Sequence, residues 1–388
     1  MYIAFIQPIL LFIFAAAIGG LWAWRKQNGQ IACMAAGFAL FGLGLAIQIS
    51  QIPAASVDNA VASAIAYSAG AVAFSLGVLE RVHRRRAGAV LVGMGIAIVV
   101  GIWYFAAIDY HLVARVYILN FGLGAIMLVA TWFARSLARG SRTDKLLFWL
   151  VLVLALHFFP RTVLTAGSIG SSDPADFSQT AFWNATTFAF AVLGLITGIG
   201  VIVTTMGDAL SEAQKERDTD PLTGLANRRG LESEMQALMA DRASRPISLI
   251  VCDLDNFKSV NDRYGHAAGD EVLSAFAHTL RANTRQGDLV ARQGGEEFVA
   301  ILPRLDAEKA LAFAERLRLA VAATGFDEIA TGLSVTASLG VVQLRDGEDL
   351  DGALKRADEL LYAAKHNGRN RTYAEGIGPV GRNRKRKA

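Results

Sequence analysis

Two adjacent acids follow a pair of glycines in residues 292–303, and their type and spacing suit them to metal-ion chemistry. An apolar segment leads into Gly294 and Gly295, then into Glu296 and Glu297, and then into a second apolar segment. Because glycine tolerates the positive φ of a tight turn, this pattern predicts a β-hairpin. Adjacent like charges repel and are disfavoured in strands, so the two carboxylates cost stability. A divalent cation, which takes oxygen ligands, would offset that repulsion; a solvated acidic turn is the alternative.

A third acid, Asp253, ends the apolar run 246–252, which predicts a buried strand. A strand-end acid that faces a hairpin with two acids is the arrangement that two-metal nucleotidyl transfer requires. In that chemistry the metals activate a ribose hydroxyl and stabilise the leaving pyrophosphate. The sequence has no G-x-x-x-x-G-K-[ST] pattern, so we do not expect a P-loop to hold the phosphates. Asp255 is interpreted as a loop acid or a helix N-cap.

The elements that must position these acids form a predicted α+β domain. Apolar periodicity and turn residues set the expected boundaries. In chain order we expect a helix at 228–241, a strand at 246–253, a helix at 270–285, the hairpin, a helix at 306–323, strands near 333–343 and a helix at 349–366.

The composition separates this domain from a membrane half. The 388 residues are 53% hydrophobic, with a mean hydropathy of +0.36, which is high for a soluble protein. Residues 1–207 hold 12 basic and 6 acidic residues, against 26 and 28 in residues 208–388. The sequence pI of 9.1 reflects membrane loops and the basic stretch 382–387. We therefore expect a membrane and no nucleic acid among the partners.

Seven segments are long and apolar enough to be membrane spans, which need roughly 20 apolar residues. The candidate spans are 3–24, 31–52, 60–79, 87–108, 112–134, 146–165 and 181–206. Basic residues follow the first, third and fifth spans, and the other loops hold few. The positive-inside rule then places the N-terminus outside and the residues after 206 in the cytoplasm. The basic loop residues are Arg25, Lys26, Arg81, Arg84, Arg85, Arg86, Arg135, Arg139, Arg142 and Lys145.

Ionisable residues near the outer ends of the predicted spans admit two interpretations. They could line a pocket for an extracytoplasmic ligand, or they could be interfacial residues that set the topology. Gly194 and Gly198 on the last span similarly suit a helix-dimer face or packing inside the bundle. The ionisable residues concerned are Asp109, His111, Arg115, His157 and Arg161.

A polar segment, 207–219, follows the last span without a proline or glycine cluster. We interpret it as a helix that continues from the membrane and ends at Pro221, because the residue before proline is pushed out of the α region. The predicted organisation is a seven-span sensor or anchor at 1–206, a signalling helix at 207–219, the α+β domain at 220–375 and a basic disordered tail at 376–388.

Residues 220–372 resemble the GGDEF domain of diguanylate cyclases. The resemblance rests on D-x-L-T-G-L-x-N-R-R from Asp220, D-x-D-x-F-K from Asp253, G-H-x-x-G-D up to Asp270, G-G-E-E-F at 294–298 and the last helix end from Lys365. It implies a fold similar to the polymerase palm and class III nucleotidyl cyclases. It also implies condensation of two GTP into cyclic di-GMP and two pyrophosphates by a homodimer, with two Mg²⁺ per active site or Mn²⁺ instead. We would then expect a multi-pass protein of the bacterial inner (cytoplasmic) membrane.

The resemblance assigns roles residue by residue. Glu296 and Glu297 are the catalytic pair, and their separate roles stay open. Asn261 and Asp270 read guanine, since a carboxylate accepts from its N1–H and 2-amino groups. The implied metal ligands are Asp253, the carbonyl of Leu254, Glu296 and Glu297; the other implied GTP contacts are Phe257, Lys258, Arg292, Lys365 and Arg369; the implied inhibitory product site holds Arg285, Asp288 and Arg316.

Two other classes of function compete with this interpretation. A catalytically silent receptor would bind GTP or cyclic di-GMP and signal by contact, but such proteins lose signature acids that are all present in this sequence. A transporter or channel with a nucleotide-controlled domain is disfavoured by the charge-poor span interiors.

Overall fold

The computed structural model describes residues 6–24, 29–53, 56–166, 181–326, 329–331 and 333–380. The chain divides into two compact units, Met1–Leu210 and Ser211–Ala388. The predicted basic residues Arg25 and Lys26 and the basic stretch 382–387 lie outside the described residues.

The first unit is an all-α bundle. Within the described ranges, seven helices are long and apolar enough to cross a membrane, which confirms the predicted architecture. The helices are α1 (Ile6–Trp24), α2 (Gly29–Ser50), α3 (Ser56–Arg81), α4 (Gly88–Ala107), α5 (Leu112–Phe133), α6 (Arg142–Ala166) and α7 (Ala181–Asp218), with short 3₁₀ turns at Arg85–Ala87 and Arg135–Arg139.

Small residues let the helices of this bundle approach closely. A Cβ on Gly37 of α2 would lie 2.6 Å from the Cβ of Phe74 on α3, so the two helices meet there with no room for a larger side chain. A Cβ on Gly198 of α7 would lie 2.5 Å from the ring of Phe14 on α1. Gly198 therefore packs inside the bundle, which favours the second interpretation of the Gly194 and Gly198 pattern.

Helix α7 is continuous from Ala181 to Asp218, so it includes nearly all of the polar segment expected at 207–219. Its last two turns, from Ser211, belong to the second unit, and residues of that unit hold the helix end. Asn227 donates from its side chain to the carbonyl oxygens of Arg217, at 2.7 Å, and Thr219, at 3.3 Å. A Cβ on Gly230 would lie 2.2 Å from the carbonyl oxygen of Asp218, so only glycine fits against the helix end.

The second unit contains a seven-stranded sheet in the order β1-β3-β4-β2-β5-β6-β7. Strand β2 is central and antiparallel to both β4 and β5. The strands are β1 (Ala226–Asn227), β2 (Ile247–Leu254), β3 (Leu289–Gly294), β4 (Glu297–Pro303), β5 (Ala337–Gln343), β6 (Thr372–Ala374) and β7 (Gly378–Val380).

Strand β2 is buried along its whole length, because helices cover both faces of the sheet. Ile250 and Cys252 point to one core, which includes Phe276 and Leu317, while Leu249 points to the other. The helices of this unit are α8 (Arg228–Ala240), α9 (Phe257–Tyr264), α10 (His266–Asn283), α11 (Ala307–Ala323) and α12 (Leu350–His366), with a 3₁₀ turn at Arg242–Ser244.

Three features differ from the expected elements. Helix α9 lies in a stretch to which we assigned no element from the sequence. Strands β1, β6 and β7 extend the sheet at its two edges. Strand β7 falls inside the segment expected to be a disordered tail from residue 376: Gly376, at φ 77°, allows a turn that pairs Gly378–Val380 with β6.

Candidate active site

The two adjacent acids lie on a β-hairpin, as predicted. Strands β3 and β4 pair antiparallel with a bulge between Arg292 and Gly294. Gly294 has φ 152° and Gly295 has φ 52°, which other residues rarely adopt. Glu296 therefore lies in the turn itself and Glu297 begins β4.

Arg292 braces this turn from within the domain. Its guanidinium donates to the carbonyl oxygen of Gly295 from Nε, at 2.9 Å, and from Nη2, at 2.7 Å. Its Nη1 donates to both carboxylate oxygens of Asp220, at 3.2 and 3.3 Å. These bonds engage Arg292 with the protein, and its assignment as a GTP contact stays a prediction.

Asp253 lies at the end of β2, opposite Glu297 in the register with β4. It is only 3% exposed, and its Oδ2 is 2.6 Å from the Nζ of Lys365. Burial raises the pKa of Asp253 to about 6, and Glu296 and Glu297 add to that rise although Lys365 opposes it. Burial and Glu297 also raise the pKa of Glu296. Such raised carboxyl pKa values are typical of functional sites.

The donor set fits a divalent cation that is shared with a nucleotide. Within the described ranges, no three His, Cys, Asp or Glu side chains form a complete metal site. Mg²⁺, however, is usually held by one or two carboxylates together with substrate phosphates and water. Asp253 Oδ1 is buried without a hydrogen-bond partner in the described residues, and a cation would satisfy it. Which ion binds, and whether the Leu254 carbonyl is a ligand, stay predictions.

The two residues assigned to guanine are brought together by a turn between α9 and α10. Gly265, at φ 85°, reverses the chain between Asn261 and Asp270. A Cβ on Gly269 would lie 1.9 Å from Asn261 Oδ1 and 3.1 Å from the Phe257 ring. The Asn261 amide therefore packs directly on the backbone beside Asp270. Phe257 is buried beneath the pair, and Lys258 is exposed on the same helix.

The residues assigned to the triphosphate lie at the end of α12. Lys365 is in its last turn and reaches Asp253. Arg369 follows in a loop and is exposed, with φ 58°. The end of β2, the hairpin and the end of α12 thus bring three acids and one cation to the same end of the central strands.

Comparisons with known proteins identify the domain that carries these residues. The family model "Diguanylate cyclase, GGDEF domain" matches residues 217–371. Residues 217–371 therefore form a GGDEF domain. A 160-residue stretch is 44% identical to the diguanylate cyclase DgcM of Escherichia coli (strain K12), covering 40% of this chain and 38% of that protein. A 158-residue stretch is 45% identical to the response regulator PleD of Caulobacter vibrioides (strain NA1000 / CB15N), covering 39% of this chain and 35% of that protein.

A solved structure of similar sequence is the active GGEEF domain of a diguanylate cyclase from Vibrio cholerae. It is 37% identical, covers 39% of this chain and 97% of that one, and superposes with a TM-score of 0.36. The chain spans less than half of the length of both curated relatives described above, and the likeness is confined to the GGDEF domain.

The residues assigned to a product site lie at the far end of α10 in this GGDEF domain. Arg285 donates to Asp288 from its backbone N, at 2.9 Å, and from Nε, at 3.2 Å. Arg316 on α11 donates to Asn283 at the end of α10, at 3.3 and 3.4 Å. The structure therefore brings Arg316 near the Arg285 turn.

Sequence reasoning missed the roles of Asp220 and Asp255. Asp220 accepts hydrogen bonds from Thr223 and Arg292. Burial raises the pKa of Asp220, but these two partners lower it by more, so the pKa lies below its usual value. Asp255 is 6% exposed and is enclosed by hydrogen-bond donors, whereas Asn256 is the residue that precedes α9. The spacing of two acids in D-x-D was the only signal, and it does not reveal that both are buried or that Asp255 is the one enclosed by donors.

Proposed function

We propose that this chain is a membrane-anchored diguanylate cyclase, which condenses two GTP into cyclic di-GMP and releases two pyrophosphates. The observation that carries the proposal is the meeting of buried Asp253 with Lys365 and the acidic hairpin, in a domain whose relatives include named diguanylate cyclases. A buried carboxylate that leaves one oxygen without a partner costs stability, so its position favours a catalytic role.

Each part of the site has a distinct task in this proposal. Asn261 and Asp270 hold guanine, and the acceptor pattern of Asp270 selects GTP over ATP because adenine lacks the N1–H and 2-amino donors. Lys365 and Arg369 hold the triphosphate, with Lys258 as a further cation. Mg²⁺, two ions per site or Mn²⁺ instead, would be held by Asp253, Glu296, Glu297 and the Leu254 carbonyl, and it would favour the attacking alkoxide and the leaving pyrophosphate.

The reaction is two in-line substitutions. The 3′ oxygen of one GTP forms a bond to the α-phosphorus of the other, and the bond from that phosphorus to the pyrophosphate oxygen breaks. The hydroxyl proton passes to a carboxylate of the hairpin, Glu296 or Glu297. Burial and Glu297 raise the pKa of Glu296, which makes this carboxylate a better proton acceptor. In the second substitution the 3′ oxygen of the other GTP attacks the α-phosphorus of the first. The second pyrophosphate leaves, and the ring is closed.

Because each domain binds one GTP, two domains must meet face to face, and the proposed enzyme is a homodimer. Cyclic di-GMP is then both the product and an inhibitor, bound at Arg285 and Asp288 with Arg316 from a neighbouring protomer or subsite. Guanidinium groups suit phosphates and guanine, and the exposed Arg285 side chain is accessible to both.

The membrane unit is proposed to control the cyclase through helix α7. At the end of α3, Arg81 donates to Asp208 of α7 from Nη1, at 2.5 Å, and from Nη2, at 3.0 Å, and to Asp144 of α6 from Nε, at 2.6 Å. Thr143 also donates to Asp208, at 2.8 Å. This ion cluster ties α7 to two other helices ten residues before the helix ends, so movement among the three would reach the end of α7.

The proposed location is the bacterial inner membrane, with the N-terminus outside and the GGDEF domain in the cytoplasm. The support is the basic loops around Arg84 and Arg139 and the exposed apolar surface of the helices, which includes Trp24, Trp132 and Trp149. Attachment of a reporter enzyme at residue 1 or residue 388 would test this orientation.

Product analysis tests the proposed activity. Full-length protein in lipid vesicles would be incubated with GTP and Mg²⁺, and the nucleotides separated by chromatography with mass detection. We expect cyclic di-GMP from the wild type, none from Glu296→Gln, and wild-type amounts from Glu308→Gln, an exposed acid in the first turn of α11.

Silence of the wild type in this assay, with GTP or cyclic di-GMP still bound, would overturn the enzyme and favour the receptor. If the Glu296→Gln variant formed as much cyclic di-GMP as the wild type, the role assigned to Glu296 would be refuted, although the enzyme activity would stand.

A further inference from the structure

Asp255 is a buried acid that the proposed mechanism does not use. It lies two residues after Asp253, just beyond β2, and its carboxylate accepts three hydrogen bonds. The donors are Thr336 Oγ1 at 2.7 Å, Ser338 Oγ at 2.7 Å and the backbone N of Asn370 at 2.9 Å. A buried carboxylate is costly unless it is hydrogen-bonded, so these three bonds offset the cost of burying Asp255 and hold the three donors around it.

The third donor belongs to the loop that carries Arg369. Arg369 and Asn370 both have left-handed backbone conformations, with φ 58° and 44°. Two consecutive non-glycine residues keep such conformations only where their surroundings enforce them. Asp255 holds the Asn370 backbone, and Arg318 holds its side chain, with Nη1 donating to Asn370 Oδ1 at 2.8 Å.

Arg318 is itself fixed. It is 6% exposed and pairs with Glu315 on the same helix, where Nη2 is 2.9 Å from Oε2. The loop is therefore held between an acid at the end of β2 and an arginine on α11. Lys365, which lies four residues before Arg369, pairs with Asp253. The loop of Arg369 is bonded to Asp255, so both proposed triphosphate cations are tied to the same strand end.

We propose that Asp255 is a positioning residue that holds the loop of Arg369 and the end of α12 in place, and thereby sets the affinity for the triphosphate. The inference rests on the proposed function, because it takes Lys365 and Arg369 as phosphate contacts. The guanine pair Asn261 and Asp270 lies on other helices, so the two halves of the nucleotide should respond separately.

The test compares two nucleotides that share guanine. Full-length protein in lipid vesicles would be titrated with a non-hydrolysable GTP analogue and with GMP, both with Mg²⁺. Asp255→Asn replaces one of the two acceptor oxygens with an NH2 group, which cannot accept. We expect about tenfold weaker binding of the GTP analogue or more. GMP binding should change less than about twofold, because the guanine contacts remain.

Asp351→Asn is the matched control, because this acid is exposed in the first turn of α12. It should leave both affinities unchanged. Combined with Arg369→Ala, Asp255→Asn should weaken GTP-analogue binding by less than the product of the two single effects, since both remove the same contact. A purely structural defect would weaken GMP as much as the GTP analogue, and that result would overturn the proposal.

Ser338→Ala keeps the test decisive if Asp255→Asn does not fold. Alanine removes Ser338 Oγ, one of the three donors that hold the Asp255 carboxylate, and leaves Asp255 and Asn370 unchanged. We expect weaker GTP-analogue binding at unchanged GMP binding; equal losses refute the positioning role. These are binding measurements, so they decide the inference even if the wild type forms no cyclic product.

Discussion

Gly269→Ala should separate the stability of the domain from its affinity for guanine. A new Cβ would lie 1.9 Å from Asn261 Oδ1, far inside van der Waals contact, so the Asn261 amide must leave its place. Loss of one or two hydrogen bonds to the base costs about 1–2 kcal/mol, which weakens GTP about tenfold. Alanine also gains up to about 1 kcal/mol of helix propensity in α10, so stability should not fall in parallel.

The assay is titration of the full-length protein with the GTP analogue, beside thermal unfolding in the same lipid. In an Asn261→Ala background the clash disappears, and Gly269→Ala should then have little further effect on affinity. Ala267→Ser, an exposed change in the same helical turn, is the control and should alter neither measurement.

Unchanged GTP affinity in Gly269→Ala would refute the reasoning, because it would mean that Asn261 does not read the base from its position against Gly269. Equal losses of affinity in the Asn261→Ala background would refute it as well, since the effect would then act through another contact such as the Phe257 ring.

Three further predictions concern the acids and arginines of the two units. The pKa of Asp253 is raised from 3.8 to about 6, so its protonated form stabilises the fold below pH 3.8 and this contribution is lost as the pH rises through 6. Between pH 4 and pH 8, the metal-free wild type should therefore lose up to about 3 kcal/mol of unfolding free energy relative to Asp253→Asn. The Asp253→Asn variant should also form no product. Asp208→Asn removes a partner of half-buried Arg81, and it should lower the unfolding free energy of the full-length protein by about 1–3 kcal/mol, measured by thermal unfolding; an unchanged midpoint would contradict the ion cluster. Arg292→Ala frees the turn that it braces to Asp220, and it should lower kcat at least about tenfold with a nearly unchanged KM for GTP, whereas a raised KM would identify Arg292 as a substrate contact.

The parts of this fold that could be predicted are those with strong local signals. The hairpin follows from Gly294 and Gly295, and buried β2 follows from an uninterrupted apolar run that ends at Asp253. Helix α9 has only two buried apolar residues, Phe257 and Val260, so its period could not be recognised in eight residues. Strands β6 and β7 are three residues each and depend on pairing rather than on sequence pattern.

The site was predictable where chemistry alone constrains the residue type, and not where long-range contacts decide its role. Asp253 and Glu296 are acids at positions where an acid costs stability, so they stand out in the sequence. Arg292 contacts Asp220, which is 72 residues away, and Asp255 contacts Asn370, which is 115 residues away. No local pattern records such a partner, because a charged residue at a strand or loop end is equally compatible with a solvated surface.

Asp220 and Arg292 connect the end of α7 to the turn that holds Glu296 within the GGDEF domain. Helix α7 ends at Asp218, and Asp220 follows with its carboxylate bonded to Arg292. Arg292 in turn bonds the carbonyl oxygen of Gly295, the residue before Glu296. Two hydrogen-bond steps therefore separate the residues after α7 from the backbone of the proposed catalytic acid. Under the proposed control through α7, a shift of the helix end that moved Asp220 would change its bonds to Arg292 and so reach the turn.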